Sequence, residues 1–136
     1  MKINKFIEEH GSDLSLLLLR IWFGLVMALG HGWGKISNLA SFNENVAKMG
    51  FWMPEVAGTF AASSEFIGGL LIALGLLFRP AAGALMLTML AAAFVVHCGD
   101  PFGKKEAALA FAVISAALIL SGPGRLTITR LWRRDA

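Results

Sequence analysis

The chain has 136 residues, of which 57% are hydrophobic and 15% are charged. Soluble domains hold about 45–50% apolar and about 25% charged residues, so this composition, with a mean hydropathy of +0.68, excludes an ordinary soluble domain. The length allows one domain, taken as residues 1–136. The formal charge of +3 is too small and too dispersed to predict nucleic-acid binding, and the single cysteine, Cys98, excludes an internal disulfide.

The N-terminal residues predict two consecutive helices. In residues 1–13, Ile3, Phe6 and Ile7 recur at helical spacing among charged residues, which indicates a short helix at the membrane interface. Ser12 or Asp13 then caps a first membrane span at residues 14–34. After that span, apolar residues between 36 and 49 recur at a helical period. They predict a short amphipathic helix on the outer surface, with Ser41 and Glu44 as its capping box.

Three further apolar segments follow, and they complete the predicted topology. They are about 57–78, 81–97 and 106–121, against the ~17–25 residues that cross a bilayer, and the last is short. Arg79-Pro80 predicts a tight turn between the first two of them. Residues 125–136 form a basic tail that predicts an anchor on anionic lipid headgroups. The sequence therefore predicts an all-α, integral membrane four-helix bundle.

The placement of lysine and arginine predicts the orientation of this bundle. Four spans put both termini on one face. That face collects seven basic residues: Lys2, Lys5, Arg79, Arg125, Arg130, Arg133 and Arg134. The opposite face collects four: Lys35, Lys48, Lys104 and Lys105. Because basic residues favour the cytoplasmic side, the N and C termini are both expected inside the cell.

Ionisable side chains within the apolar segments predict a polar pocket inside the membrane. A charge at the centre of a bilayer costs about 2.5–3.5 kcal/mol, so each one needs a partner, water or a function. The candidate site residues are Arg20, His31, Lys35, Glu65, His97 and Glu106. Arg20, His31 and Lys35 share one face of the first span, and helix rise suggests that Arg20 reaches Glu65 to form an ion pair. His31, Lys35, His97 and Glu106 are expected near the outer end, together with Asp100.

Several kinds of chemistry fit such a pocket. Two imidazoles near carboxylates can pass protons or donate hydrogen bonds to the carbonyls of a quinone. His31, His97 and Glu106 are weak candidates for a divalent metal, because the histidines lie 66 residues apart without a ligand spacing motif. Bis-histidine haem is weaker still, and structural polar pairs without a ligand remain an alternative. Cys98, beside His97, is either an activated thiol or a small buried hydrophobe.

A set of short motifs in a fixed order resembles the DoxX family of small four-helix bacterial membrane proteins. The motifs are Leu18-Leu19-Arg20-Ile21, His31-Gly32-Trp33-Gly34-Lys35, Glu65-Phe66-Ile67-Gly68-Gly69, Leu74-Gly75-Leu76-Leu77-Phe78-Arg79, the phrase that ends in His97, and Gly122-Pro123-Gly124-Arg125-Leu126. The resemblance implies the bacterial cytoplasmic (inner) membrane and a link to quinone- or thiol-linked redox systems. It also implies that Arg20, His31, Lys35, Glu65 and His97 are the family's polar positions. The chain departs from the family at Thr127 and Thr129, where members often have Ser and Asp.

From these observations we expect a membrane subunit or accessory of a redox system rather than an autonomous enzyme. The sequence contains no flavin, iron–sulfur or paired-thiol motif, so electrons are expected from a redox partner subunit, with a quinone as the favoured ligand. The lipid bilayer is the expected contact surface. Because one four-helix unit buries little surface, the sequence also favours either a homo-oligomer or a partner subunit. The alternatives are a proton-coupled small-solute transporter or export helper, and a membrane scaffold without catalysis.

Overall fold

The computed structural model describes residues 2–134, and within them every regular element is helical. Met1, Asp135 and Ala136, the extremities of the predicted domain and basic tail, lie outside the described residues. The α-helices are α1 (Lys2–Leu25), α2 (Trp33–Ser37), α3 (Leu39–Lys48), α4 (Pro54–Ser63), α5 (Gly69–Leu74), α6 (Phe78–Ala91), α7 (Phe102–Ser121) and α8 (Ile128–Arg134). Three π-helical segments, Val26–Gly32, Ser64–Gly68 and Ala92–Val96, follow α1, α4 and α6 directly.

Three of the long helices are apolar enough to cross a membrane. They run through Ile3–Ser37, Pro54–Leu74 and Phe78–Val96, and we refer to them as the first, second and third long helices. Each long helix contains one π-helical segment and continues through it without a break. The helix α7 is also 20 residues long, but Lys104, Lys105 and Glu106 occupy its start, so its apolar part is shorter.

The first long helix corrects the predicted start of the chain. The separate interfacial helix at residues 1–13, with a cap at Ser12 or Asp13, was a wrong prediction, because α1 continues unbroken from Lys2 to Leu25. Asp13 does not cap a helix. Its carboxylate instead accepts two hydrogen bonds from Arg125, at 2.9 Å from the backbone nitrogen and at 2.6 Å from Nε. Asp13 therefore joins α1 to the C-terminal tail.

The turns differ from the predicted turns by a few residues. The second long helix ends at Gly75, whose φ of +75° is favourable only for glycine, and Leu77 also has a positive φ of +40°. The helix α6 begins at Phe78, so Arg79-Pro80 lies in its first turn and not in the loop. The predicted amphipathic helix is present as α3, but it begins at Leu39 without the Ser41–Glu44 capping box.

The long helices pack antiparallel to their sequence neighbours around a small apolar core. Gly24 lies against Gly69 and Ala73, so the first and second long helices approach at backbone distance. Arg79 Nε donates a hydrogen bond of 3.0 Å to the carbonyl of Ile119, which joins the start of α6 to the end of α7. The largest fully buried apolar side chains are Phe23, Met27, Ile72, Leu85 and Leu118. We call the end that holds Asp13, Gly75 and Arg125 the terminal end, and the end that holds Ser37, Phe51 and Asp100 the loop end.

Candidate functional site

The central polar contact is an ion pair between the first and second long helices. Lys35 Nζ lies 2.7 Å from Glu65 Oε1 and 2.5 Å from Glu65 Oε2. The Glu65 side chain is only 2% exposed, whereas the Lys35 side chain is 30% exposed. The buried carboxylate therefore has both oxygens satisfied by one ammonium group, which belongs to a side chain that is itself only partly exposed.

Glycine and π-helical backbone explain how two charged side chains meet here. A Cβ atom on Gly32 would lie 2.7 Å from the Cα of Phe66 and 2.8 Å from the carbonyl carbon of Glu65, so only glycine fits. Gly32 ends the first π-helical segment, and Glu65 lies in the second. Such wide turns occur frequently at functional sites, because the extra residue redirects the side chains that follow it. The two helices therefore approach at backbone distance beside the ion pair, as they also do at Gly24 and Gly69.

One aromatic ring lies close to the ammonium group of the pair. Lys35 Nζ lies 5.3 Å from the centroid of the Phe42 ring, within the range of a cation–π contact. The rings of Trp33 and Phe66 lie 5.6 Å apart and form a further contact between the first and second long helices. The Lys35 ammonium group therefore contacts both a buried carboxylate and the Phe42 ring of α3.

A hydroxyl pair extends the polar centre to the third long helix. Ser64 and Thr88 share a hydrogen bond of 2.7 Å, and both residues are buried. Each hydroxyl also bonds within its own helix, Ser64 to the carbonyl of Ala61 at 2.9 Å and Thr88 to that of Ala84 at 3.0 Å. The sequence analysis missed this contact. The available signal was the pair of hydroxyl residues within apolar spans, of which Ser64 directly precedes Glu65.

Arg20 has different partners from the predicted ones. The expectation that Arg20 pairs with Glu65 was wrong, because Glu65 is held by Lys35 and Arg20 bonds the backbone at the terminal end. Arg20 Nη1 donates to the carbonyl of Pro123 at 2.6 Å, and Nη2 donates to the carbonyl of Leu126. The residue is 2% exposed, and within the described chain its Nε has no hydrogen-bond partner. Arg20 therefore fastens the segment after α7 to the first long helix.

The two histidines occupy different surroundings. His31 is exposed, and its ring stands edge-on to Phe111 of α7 with the centroids 5.4 Å apart. His97 follows the third π-helical segment, and its Nδ1 lies 2.7 Å from Asp100 Oδ2. This hydrogen bond, assisted by Lys104, lowers the pKa of Asp100 below its usual value. His97 and Asp100 thus form a charged group in the turn before α7.

The predicted cluster at the loop end is divided. Lys35 and Glu65 form one group, and His97, Asp100 and Lys104 form another; across residues 2–134 no hydrogen bond or ion pair joins them. Glu106 is exposed and makes no such contact in this part of the chain.

The described residues do not bring together three His, Cys, Asp or Glu side chains that could hold a metal ion, so His31, His97 and Glu106 are not such a set. Hydrogen-bond donors for a carbonyl ligand are Lys35 and His31. Cys98 is exposed and free, which contradicts its interpretation as a buried small hydrophobe.

Comparison with protein-family models identifies a family for this chain. A family model described as DoxX matches residues 15–98, more than half of the chain. The matched range includes Arg20, His31, Lys35, Glu65 and His97, and it ends before Glu106. No curated protein and no solved structure matches the chain.

Proposed function

The chain belongs to the DoxX family, and we propose that it is a membrane subunit or accessory of a quinone- or thiol-linked redox system. In this proposal α7 is the fourth span, both termini lie in the cytoplasm, and the membrane is the bacterial cytoplasmic membrane. The observation that carries the functional part is the Lys35–Glu65 pair, because a buried carboxylate with a partly accessible ammonium partner is a costly arrangement within a membrane.

The packing and length of α7 support its role as a span. It has 20 residues, about 30 Å of helix at ~1.5 Å per residue, which matches the hydrocarbon core. Arg79 ties its end to the start of the third long helix. Lys104 and Lys105, near its start, have flexible stems that can carry their ammonium groups to the lipid–water boundary. The terminal end holds Arg79, Arg125, Arg130 and Arg133, which supports placing that end in the cytoplasm.

The surroundings of Lys35 support a quinone-like ligand. A quinone presents carbonyl acceptors on a flat apolar ring. Lys35 and the exposed His31 supply donors, and Phe42 supplies an aromatic ring close to Lys35. Reduction of a quinone to its quinol takes up electrons and protons in equal number. In the proposal a partner subunit supplies the electrons, and Glu65 relays protons through its contact with Lys35.

The test is co-purification of the ligand. The protein is extracted in mild detergent, and bound quinone is extracted and measured by mass spectrometry. We expect quinone with the wild-type protein and a clear loss with Lys35→Met or His31→Ala. Lys48→Met, an exposed lysine at the end of α3, is the matched control and keeps the wild-type amount. An empty wild-type protein, together with unchanged quinone reduction in membranes of a deletion strain, would overturn the proposal.

The same ion pair also favours a second candidate, a proton-coupled small-solute transporter or export helper. Protonation of Glu65 would release Lys35 and change the charge of the bundle interior. This candidate predicts solute flux in proteoliposomes that is lost in Glu65→Gln and kept in Glu44→Gln on the exposed surface of α3. A third alternative, a scaffold without chemistry, predicts full complementation by His31→Ala and His97→Ala.

A further inference from the structure

A groove of about 620 Å³ opens at the terminal end, between the N-terminal part of α1 and the C-terminal tail. Its lining has an apolar part and a basic part. The apolar part includes Phe6, Leu14 and Leu126, and the basic part includes Arg125, Arg130 and Arg133. A groove with these two parts is suited to a molecule that carries both an anionic group and an apolar chain.

Within residues 2–134, acidic side chains do not fully neutralise the basic part. Asp13, which also lines the groove, uses both carboxylate oxygens to bind Arg125 through its backbone nitrogen and Nε. Arg125 therefore has a structural role. Arg130 and Arg133 form no ion pair with any side chain of the described part of the chain. Two guanidinium groups remain in the groove to meet an external anion.

We propose that this groove binds an anionic phospholipid. Arg130 and Arg133 hold the phosphate, for which guanidinium groups have a matching fork of donors. Phe6, Leu14 and Leu126 contact the upper part of the acyl chains. The site is separate from the Lys35–Glu65 pair, which lies toward the loop end, so it does not depend on the function proposed above.

The surroundings of the groove favour a lipid over a soluble phosphate. Ile3 and Ile7 are 72% and 58% exposed, and they extend the apolar surface of α1 next to Phe6. On α8, Leu131 and Trp132 are exposed beside the arginines, and tryptophan is typical of the lipid–water boundary. A free phosphate ion would use only the basic part. A phospholipid uses both parts and lies at the depth where basic residues meet anionic headgroups.

The experiment measures lipid binding to the full chain by native mass spectrometry. Detergent-solubilised protein is titrated with dioleoyl phosphatidylglycerol, and with dioleoyl phosphatidylcholine as the neutral headgroup. We expect preferential binding of phosphatidylglycerol. Because each basic residue contributes about 1 kcal/mol near anionic lipid, Arg130→Gln/Arg133→Gln should bind it roughly 30-fold more weakly. Arg130→Lys/Arg133→Lys keeps the charge but loses the fork of donors, and its affinity should lie between those of the wild type and the Arg130→Gln/Arg133→Gln variant.

The matched control is Lys48→Gln/Lys105→Gln, which removes the same charge at the loop end and should bind like the wild type. Thermal unfolding of each variant reports that the fold is kept, as expected for exposed arginines. Inorganic phosphate in excess should not displace the lipid. Unchanged binding in the Arg130→Gln/Arg133→Gln variant, an equal loss in the control, or displacement by phosphate alone would each overturn the proposal.

Discussion

Gly24 of the first long helix and Gly69 of the second lie face to face, each against the carbonyl oxygen of the other. A Cβ atom on Gly69 would lie 2.6 Å from Gly24 O and 2.8 Å from the backbone nitrogen of Ala28, and one on Gly24 would contact Gly69 O. These neighbours are backbone atoms, which cannot rotate away. The distance between the two helices, and with it the position of Lys35 relative to Glu65, depends on the absence of two methyl groups.

The first prediction concerns these glycines. Gly24→Ala or Gly69→Ala should destabilise the protein by about 1–3 kcal/mol, because the helices must separate to admit the methyl group. Gly83→Ala in α6 is the control: nothing lies within 4 Å of its Cβ position, so the helix gains propensity without a clash. Thermal unfolding in detergent measures the stability of the three variants. A Gly24→Ala protein as stable as Gly83→Ala would contradict the described packing.

The second prediction concerns the Lys35–Glu65 pair. Glu65→Gln should lower the free energy of unfolding by about 3 kcal/mol, near the lower end for a buried pair because Lys35 stays partly exposed. The double variant Lys35→Met/Glu65→Gln removes the unpaired charge and should recover part of the loss. A double-mutant cycle by chemical unfolding measures the coupling, and purely additive effects would contradict the ion pair.

The third prediction concerns Arg20. Arg20→Lys should destabilise the protein by about 2–3 kcal/mol, because a lysine cannot reach two carbonyls with the planar fork of a guanidinium group. The control is Arg79→Lys, which is exposed and gives one hydrogen bond, and it should have a small effect. When Arg20 and Glu65 are both neutralised, the two losses in free energy of unfolding should add within about 0.5 kcal/mol, since the residues share no partner. A double variant that is more stable than the sum of the two losses predicts would instead support an Arg20–Glu65 ion pair, which the structure contradicts.

The fourth prediction concerns pH. The hydrogen bond from His97, with Lys104 nearby, lowers the pKa of Asp100 in the folded protein from its usual 3.8. The carboxylate therefore contributes stability above that ordinary value, and the contribution is lost as the pH falls through the lowered pKa. The wild type should be more stable than Asp100→Asn at neutral pH, and the difference should begin to shrink below about pH 4 and disappear once the pH is below the lowered pKa of Asp100. Glu44→Gln, exposed on α3, should show no such convergence. A difference that persists at low pH would mean that the Asp100 contact is not charge-dependent.

The sequence was sufficient to predict the helices, the amphipathic α3 and the polar positions Lys35 and Glu65. Hydrophobic runs and helical periodicity depend on local residue order, so they can be recognised without tertiary information. The family resemblance could also be recognised from residue order alone, and the match over residues 15–98 confirms it. The redox role, the orientation and the fourth span remain predictions.

The partner of Glu65 could not be predicted, because the register between the first and second long helices is set by how they pack. Gly32 lies against Glu65, whereas Arg20, twelve residues earlier, lies beside Gly75. The π-helical segments change the side-chain directions in addition. The first long helix contains a seven-residue π-helical segment, Val26–Gly32, just before Lys35, and the second contains Ser64–Gly68 around Glu65. Bonds from i to i+5 widen these turns and rotate every later side chain. The prediction also ignored Gly32, which lets the helices approach so closely that Lys35 reaches Glu65.

The partners of Arg20 are backbone carbonyls, which no side-chain pattern indicates. Pro123 and Leu126 present them because Gly122 and Gly124 turn the chain with φ values of +73° and +75°. Such a loop can be anticipated as a turn, but its direction depends on the helices that it joins.

Arg20 can form its hydrogen bonds only late in the synthesis of the chain. Its two acceptor carbonyls lie 103 and 106 residues further along the chain, so the first helix enters the membrane long before they are made. Until the ribosome has released the segment through Leu126, the guanidinium must stay hydrated or bonded to another molecule. Chains truncated before that point would therefore contain the first helix with Arg20 lacking both of its native acceptors.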